Sequence, residues 1–235
     1  MAQTMESIIG SMNLETSKAA IITKEEVRYR IAEIGIIPSV RVASEEDALF
    51  VAEALAEAGI PLIEISAVFP GAFQAIARLS ELLPNIIVGA GSVMSTEVAR
   101  RCLDEGAKFL TTDGLVLDVV EFAINKGIIV FPGALTPTEI IAAWKAGSDF
   151  VKVVPCDAVG GSNYIRSLKS AMPQIHLIAA GGVNQRTALS FITAGATALG
   201  VGRDLIPAEA IRLRQSQRIQ ELARRFLSSV GNGRN

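Results

Sequence analysis

Apolar positions along this chain alternate between two patterns: short continuous runs, and longer stretches in which they recur every three or four residues. The first pattern marks strands buried on both faces, and the second marks helices with one face in a core. Lys24 to Ile34 (KEEVRYRIAEI), with glutamates in its first turn, predicts a helix ahead of the main alternation. Ile36 to Val42 then predicts a strand, and Ser44-Glu-Glu-Asp, an N-cap followed by acidic residues, starts a helix that ends near Gly59. Strands at Pro61 to Ser66 and Asn85 to Ala90 are each followed by a helix, from about Gly71 to Leu83 and from Ser95 to Gly106. The pattern continues with Lys108 to Thr112 and a helix to Lys126, then Ile128 to Phe131 and a helix capped by Thr136 with Pro137 at its first position. Asp149 to Val154, His176 to Ala180 and Thr197 to Val201 complete the strands, and helices over about 162–171, 184–194 and 208–228 follow them.

Eight strand-plus-helix units about twenty residues apart predict an α/β fold, a single (β/α)8 TIM barrel with an additional N-terminal helix. The competing arrangement, a doubly wound open sheet, usually has fewer strands and often a Gly-rich first turn. Here that turn is Arg41-Val-Ala-Ser, and the glycines cluster late. The expected organisation is a polar leader over residues 1–22, a barrel domain over 23–230 and a mobile Gly/Asn/Arg tail over 231–235.

Within the sixth strand, Asp149-Phe-Val-Lys152-Val-Val-Pro155 sets one ammonium group in an apolar run. In isolation such a lysine belongs on an edge strand and reaches solvent. A parallel barrel covers both faces of every strand, and burial disfavours a charged amine, which is one way a lysine becomes a nucleophile. Phe150, Lys152 and Val154 share one face, and a side chain near the carboxyl end of a strand reaches the mouth at which barrels place their chemistry. Glu64, in Pro61-Leu-Ile-Glu-Ile-Ser66, is a second ionisable group in an apolar strand. Two roles are open to it: an ion pair that neutralises Lys152, or a general acid and base beside an amine nucleophile. Arg41, late in the first strand, offers a fork for a carboxylate or phosphate, and a structural ion pair accounts for it equally well.

Backbone N–H groups converge on the same mouth from three glycine-containing turns. These are Gly89-Ala-Gly91-Ser92 after the third strand, Ala180-Gly181-Gly182 after the seventh and Gly200-Val-Gly202-Arg203 after the eighth. The last two occupy places at which such barrels often bind phosphate, and Arg203 adds a charge.

Composition narrows the partners. A net charge of −2, with both signs interspersed, gives no basic stripe or tail for nucleic acid. No apolar stretch is long enough to span a bilayer, and the opening MAQTMESIIGSMNLETSK lacks the basic and apolar regions of a secretory signal. Cys102 and Cys156, neither in a CxxC pair, fit a reducing cytoplasm, which is the expected location. His176 is the only histidine, so a histidine-based metal centre is not expected. It and Trp144 read as packing or surface residues, and Cys156 as a small buried side chain.

Four segments, GAGSVMS at 89–95, PGALTPTE at 132–139, DFVKVVPCDAVGG at 149–161 and AAGGVN at 179–184, resemble one enzyme family. It comprises the class I pyruvate aldolases that cleave 2-keto-3-deoxy-6-phosphogluconate (KDPG) and 4-hydroxy-2-oxoglutarate (KHG). The similarity runs from about Ile36 to Pro207. The resemblance implies a barrel, commonly a homotrimer, that works without metal or other cofactor through a covalent imine on the enzyme. It puts the imine-forming lysine on Lys152, the acid/base glutamate on Glu64 and a hydroxyl contact on Ser92. Pro132 is implied as a further substrate contact, and phosphate contacts fall on Gly181, Gly182 and Gly202. The carboxylate-holding arginine that some members carry shortly after the glutamate is here Val68; others use an arginine ending the first strand, which matches Arg41.

Three departures bear on the substrate. The usual Pro-Thr-Gly-Gly is Ala179-Ala180-Gly181-Gly182, the serine expected after Gly202 is Arg203, and the usual Ser-Pro after the fourth strand is Thr112-Asp113. The implied partner is a small keto acid, with or without a phosphate, cleaved to pyruvate and an aldehyde such as glyceraldehyde 3-phosphate or glyoxylate. A terminal carboxylate satisfies Arg203 as well as a phosphate does. An imine-forming decarboxylase acting on a keto acid such as oxaloacetate, and a barrel that binds a phosphosugar without turnover, are the alternatives.

Overall fold

The structure, a computed structural model, describes residues 22–42 and 44–234. All but the last residue of the expected leader lies outside the described residues. Strands β1 (Ile36–Val40), β2 (Leu62–Ser66), β3 (Ile87–Gly91), β4 (Phe109–Thr111), β5 (Ile129–Phe131), β6 (Gly133–Ala134), β7 (Val151–Val153), β8 (Leu177–Ala180) and β9 (Ala198–Val201) pair in parallel in the order β5-β4-β3-β2-β1-β9-β8-β7-β6. Around them run α1 (Lys24–Ile34), α2 (Glu45–Glu57), α3 (Ala72–Leu82), α4 (Thr96–Asp104), α5 (Leu117–Asn125), α6 (Pro137–Lys145), α7 (Gly161–Ala171), α8 (Ala188–Thr193), α9 (Ala208–Arg212) and α10 (Ser216–Arg234). This is the expected barrel with an additional N-terminal helix. The caps read from sequence form: Ser44, Ser95 and Thr136 each accept from the N–H three residues on, and Thr136 and Glu139 complete a reciprocal capping box.

Among the described residues there are nine strands where the alternation predicts eight, because the fifth is broken at Pro132. Proline has no N–H for a ladder. β5 pairs with β4 on one side of the break and β6 pairs with β7 on the other, so one bent segment closes the barrel. The Pro132 carbonyl accepts the Lys152 backbone N–H at 2.9 Å across this closure.

Inside the barrel the period of two along each strand sorts side chains into layers. Phe109 and Phe131 stack with ring centroids 5.1 Å apart, and Phe150 meets Phe131 edge-on at 6.1 Å. Thr111 and Lys152 stand two residues beyond Phe109 and Phe150, on the same faces and one layer nearer the mouth. Below, α1 packs its buried Val27, Ile31 and Ile34 towards β5 and β9, and Lys24 Nζ lies 3.0 Å from Asp149 Oδ2.

The C-terminus differs from expectation in two places. The single helix expected over 208–228 is divided between α9 and α10, with Arg214 in the left-handed region at φ 50°. Residues 231–234, expected as a mobile tail, form the last turn of α10. Gly-Asn-Gly is a poor helix former on its own. Here Arg234 anchors it by donating to the carbonyls of Ala32 (2.5 Å), Glu33 (2.6 Å) and Thr197 (3.1 Å). No helix among the described residues is long and apolar enough to cross a membrane.

The aromatic floor leaves no spare volume above β3. A Cβ added at Gly89 would lie 2.2 Å from ring carbons of Phe109. Gly89→Ala is therefore expected to force that ring off its stack and destabilise the fold by about 1–3 kcal/mol. Chemical denaturation of the variant against the parent measures it; an unchanged midpoint would show that the floor yields.

Candidate active site

Four adjacent strands set the polar groups of the barrel interior side by side. Ser39 on β1 is in register with Glu64 on β2, and the Ser39 hydroxyl donates to Glu64 Oε1 at 2.9 Å. The other carboxylate oxygen, Oε2, accepts from Thr111 Oγ1 on β4 at 3.0 Å. The intervening strand, β3, makes room for the carboxylate with Gly91, where a Cβ would lie 2.3 Å from Glu64 Oε1. Lys152 enters from β7, and its Nζ donates to Thr111 Oγ1 at 3.2 Å and to Asp113 Oδ1 at 3.3 Å. Glu64 and Lys152 retain only 5% and 6% of their exposure, and Thr111 none.

The ion pair of Lys152 is thus made with Asp113, on the loop after β4, and not with Glu64. Asp113 is nearly half exposed. Partial burial on its own raises the Asp113 carboxyl; a hydrogen bond from Ser92 and the charges of Lys152 and Arg41 outweigh it and hold the carboxyl below the usual aspartate range. Ser92 is itself buried, has a left-handed φ of 55° and accepts from Ser66 Oγ at 3.3 Å.

These groups open onto a cavity of about 280 Å³ at the carboxyl ends of the strands. Of the residues singled out from sequence, Lys152, Glu64, Arg41, Gly181, Gly202 and Arg203 line it, together with Ser39, Asp113 and Ala180. Ser92 sits behind Asp113 rather than on the wall. Pro132 is buried and outside the lining, and its carbonyl accepts the backbone N–H of Lys152. Gly182 also lies off the wall, exposed and packed against Asp157. Cys156 is fully buried, its Sγ donates to the Gly181 carbonyl at 3.2 Å, and burial pushes its thiol up to about 12, which leaves it inert. His176 stacks obliquely 6.0 Å from Phe150, and Trp144 is exposed on α6. Neither faces the cavity.

A buried amine, a nearby carboxylate and two rim arginines are the parts of an imine-forming site for an anionic carbonyl compound. The family model of KDPG and KHG aldolase matches residues 27–222. The chain belongs to the KDPG and KHG aldolase family. A 2-dehydro-3-deoxy-phosphogluconate aldolase of Pseudomonas aeruginosa is 26% identical over 94% of this chain and 98% of its own. A 2-dehydro-3-deoxy-6-phosphogalactonate aldolase of Escherichia coli is 28% identical over 84% of this chain and 97% of its own. Among solved structures, a KDPG aldolase from Legionella pneumophila with pyruvate captured as a covalent carbinolamine superposes with a TM-score of 0.79 at 26% identity, covering 84% of this chain and 96% of that one.

Against the family pattern, the residues that sequence reasoning missed are Thr111, Ser39 and the ion-pairing role of Asp113. Thr111 and Ser39 carried one usable signal, a hydroxyl on the inward face of an otherwise apolar strand. That signal acquires meaning only when strand register sets both beside Glu64.

The Lys152–Asp113 pair has a pH signature. A carboxyl whose folded-state value lies below its unfolded value near pH 4 stabilises the fold above that pH and ceases to do so as pH falls through the folded value. Thermal melts between about pH 6 and pH 2.5 are expected to show the parent losing this contribution below about pH 4. Asp113→Asn, which lacks it throughout, is expected to have the shallower acid slope; parallel slopes would show that the pair contributes nothing.

Proposed function

We propose that this chain is a class I aldolase that cleaves a 2-keto-4-hydroxy acid to pyruvate and an aldehyde through an imine on Lys152, without a metal. The observation that carries the reading is a buried amine on the cavity floor, joined through one hydroxyl to the Glu64 carboxylate. Lys152 in its neutral form adds to the keto carbon, and loss of water leaves a protonated imine. Glu64 takes the proton from the C4 hydroxyl, the C3–C4 bond breaks, and its electron pair passes to the imine as an enamine of pyruvate. The imine is the electron sink, so the reaction needs no Lewis acid.

Arg41, which lines the same cavity as the amine and acts on Asp113, takes the keto-acid carboxylate in this reading. Arg203, with Gly181 and Gly202, is left for the distal anion, a phosphate in KDPG or a carboxylate in KHG. Large apolar side chains exposed on the neighbouring loops after β2 and β3, Val68 and Met94, support self-association into the trimer that the family implies. The two cysteines are buried and unpaired, in keeping with a reducing cytoplasm.

Asp113 favours a second reading, because an amine held in an ion pair is also what a phosphosugar-binding barrel without turnover would keep. One experiment separates the two. Borohydride with pyruvate is expected to add one reduced pyruvate to the parent and none to Lys152→Ala, and Glu64→Gln is expected to lower kcat by roughly 10²–10⁴-fold. An unmodified parent that is nonetheless stabilised by phosphorylated ligands would select the binding reading instead. Turnover of KDPG and KHG side by side, in the parent and in Arg203→Ala, then identifies the distal group.

A further inference from the structure

We propose that Thr111 is a third catalytic residue, the hydroxyl that carries a proton between Lys152 and Glu64. The proposal rests on the aldolase reading above. Thr111 is fully buried, and its single oxygen is committed in both directions, accepting from Lys152 Nζ at 3.2 Å and donating to Glu64 Oε2 at 3.0 Å. A hydroxyl that accepts one hydrogen bond while donating another is the smallest unit that passes a proton on. For packing alone valine would fill the same place on a strand, and a hydroxyl without partners in a dry layer is destabilising. The polar atom is explained by what it connects.

The surrounding groups leave this route open and close the other. Glu64 Oε1 is held by Ser39, so Oε2 faces Thr111. Asp113 also touches the Lys152 amine, but its environment keeps it ionised, so it serves as counter-charge rather than proton acceptor. The aromatic floor of Phe109, Phe131 and Phe150 lies beneath, which leaves the cavity as the side from which water or substrate approaches.

One proton leaves Lys152 Nζ for Thr111 Oγ1 as the proton of Thr111 moves to Glu64 Oε2, giving a neutral amine, an unchanged threonine hydroxyl and a protonated Glu64. The amine lone pair forms the bond to C2, the carbonyl π pair moves to oxygen, and a second N–H proton follows it there. Glu64 then protonates the new hydroxyl, which leaves as water while the nitrogen lone pair closes the C=N bond. Glu64 returns to a carboxylate.

The test is the rate of imine formation, read by quenching with borohydride at successive times after mixing with pyruvate. Thr111→Val keeps the shape and removes the hydroxyl; it is expected to slow imine formation about 10²-fold or more, with the KM for keto acid close to the parent's. Thr111→Ser is expected to recover most of the rate. Imine formation at the parental rate in Thr111→Val overturns the relay and leaves the aldolase reading standing. No imine in the parent overturns that reading and the relay together. Should Thr111→Val not fold, the parent's rate in mixtures of H₂O and D₂O decides: two protons moving in one step give a bowed dependence on deuterium fraction, and a straight line overturns the relay.

Discussion

An ammonium group inside a closed barrel must be met by donors' partners and counter-charge, and the interior of this protein is arranged around meeting that demand for Lys152. Taking an ion out of water costs several kcal/mol even after relaxation. Thr111 and Asp113 offset that cost by accepting from the amine, at 3.2 and 3.3 Å. Thr111 is in turn held by Glu64, Glu64 by Ser39, and the space that Glu64 occupies exists because Gly91 has no side chain. Residues from β1, β2, β3, β4 and β7 are therefore committed to one amine. A change at any of them is felt at the nitrogen.

The layer beneath makes the arrangement directional. Phe109, Phe131 and Phe150 fill the interior below the polar groups, and α1 packs across from the amino-terminal side. The strand break at Pro132 belongs to the same design, since the freed carbonyl holds the Lys152 backbone at the point where the barrel closes. Fold closure and the placement of Lys152 are one set of contacts.

Much of this was legible in the sequence, for identifiable reasons. Strands buried on both faces are continuous apolar runs, so the charges of Lys152, Glu64 and Arg41 stood out against them and the barrel could be counted. Thr111 and Ser39 did not stand out, because hydroxyl residues are at home in strands and their roles depend on register between segments far apart in the chain. Asp113 was visible as a departure from the family pattern, but its partner was not, since loop conformation decides whether it meets Lys152 or solvent. The order of residues 231–234 was hidden for a similar reason. Gly-Asn-Gly predicts mobility, and the anchor is a guanidinium whose three carbonyl partners lie on two other segments.

The departures at Asp113 and Arg203 make physical sense together. Relative to a family pattern with proline and serine at these places, one adds a negative charge beside the amine and the other a positive charge at the rim, so the net charge of the cavity is unchanged while its charge is redistributed. Both line one cavity from opposite sides of the barrel, Asp113 after β4 and Arg203 after β9, and the low-dielectric strands around it strengthen their fields. On the proposed function, Asp113 repels a carboxylate that approaches Lys152 and Arg41 draws it, while Arg203 draws a distal anion. On the same reading, an elongated substrate with anionic groups at both ends has one arginine for each before any covalent step, which is placement supplied by charge rather than by close fit.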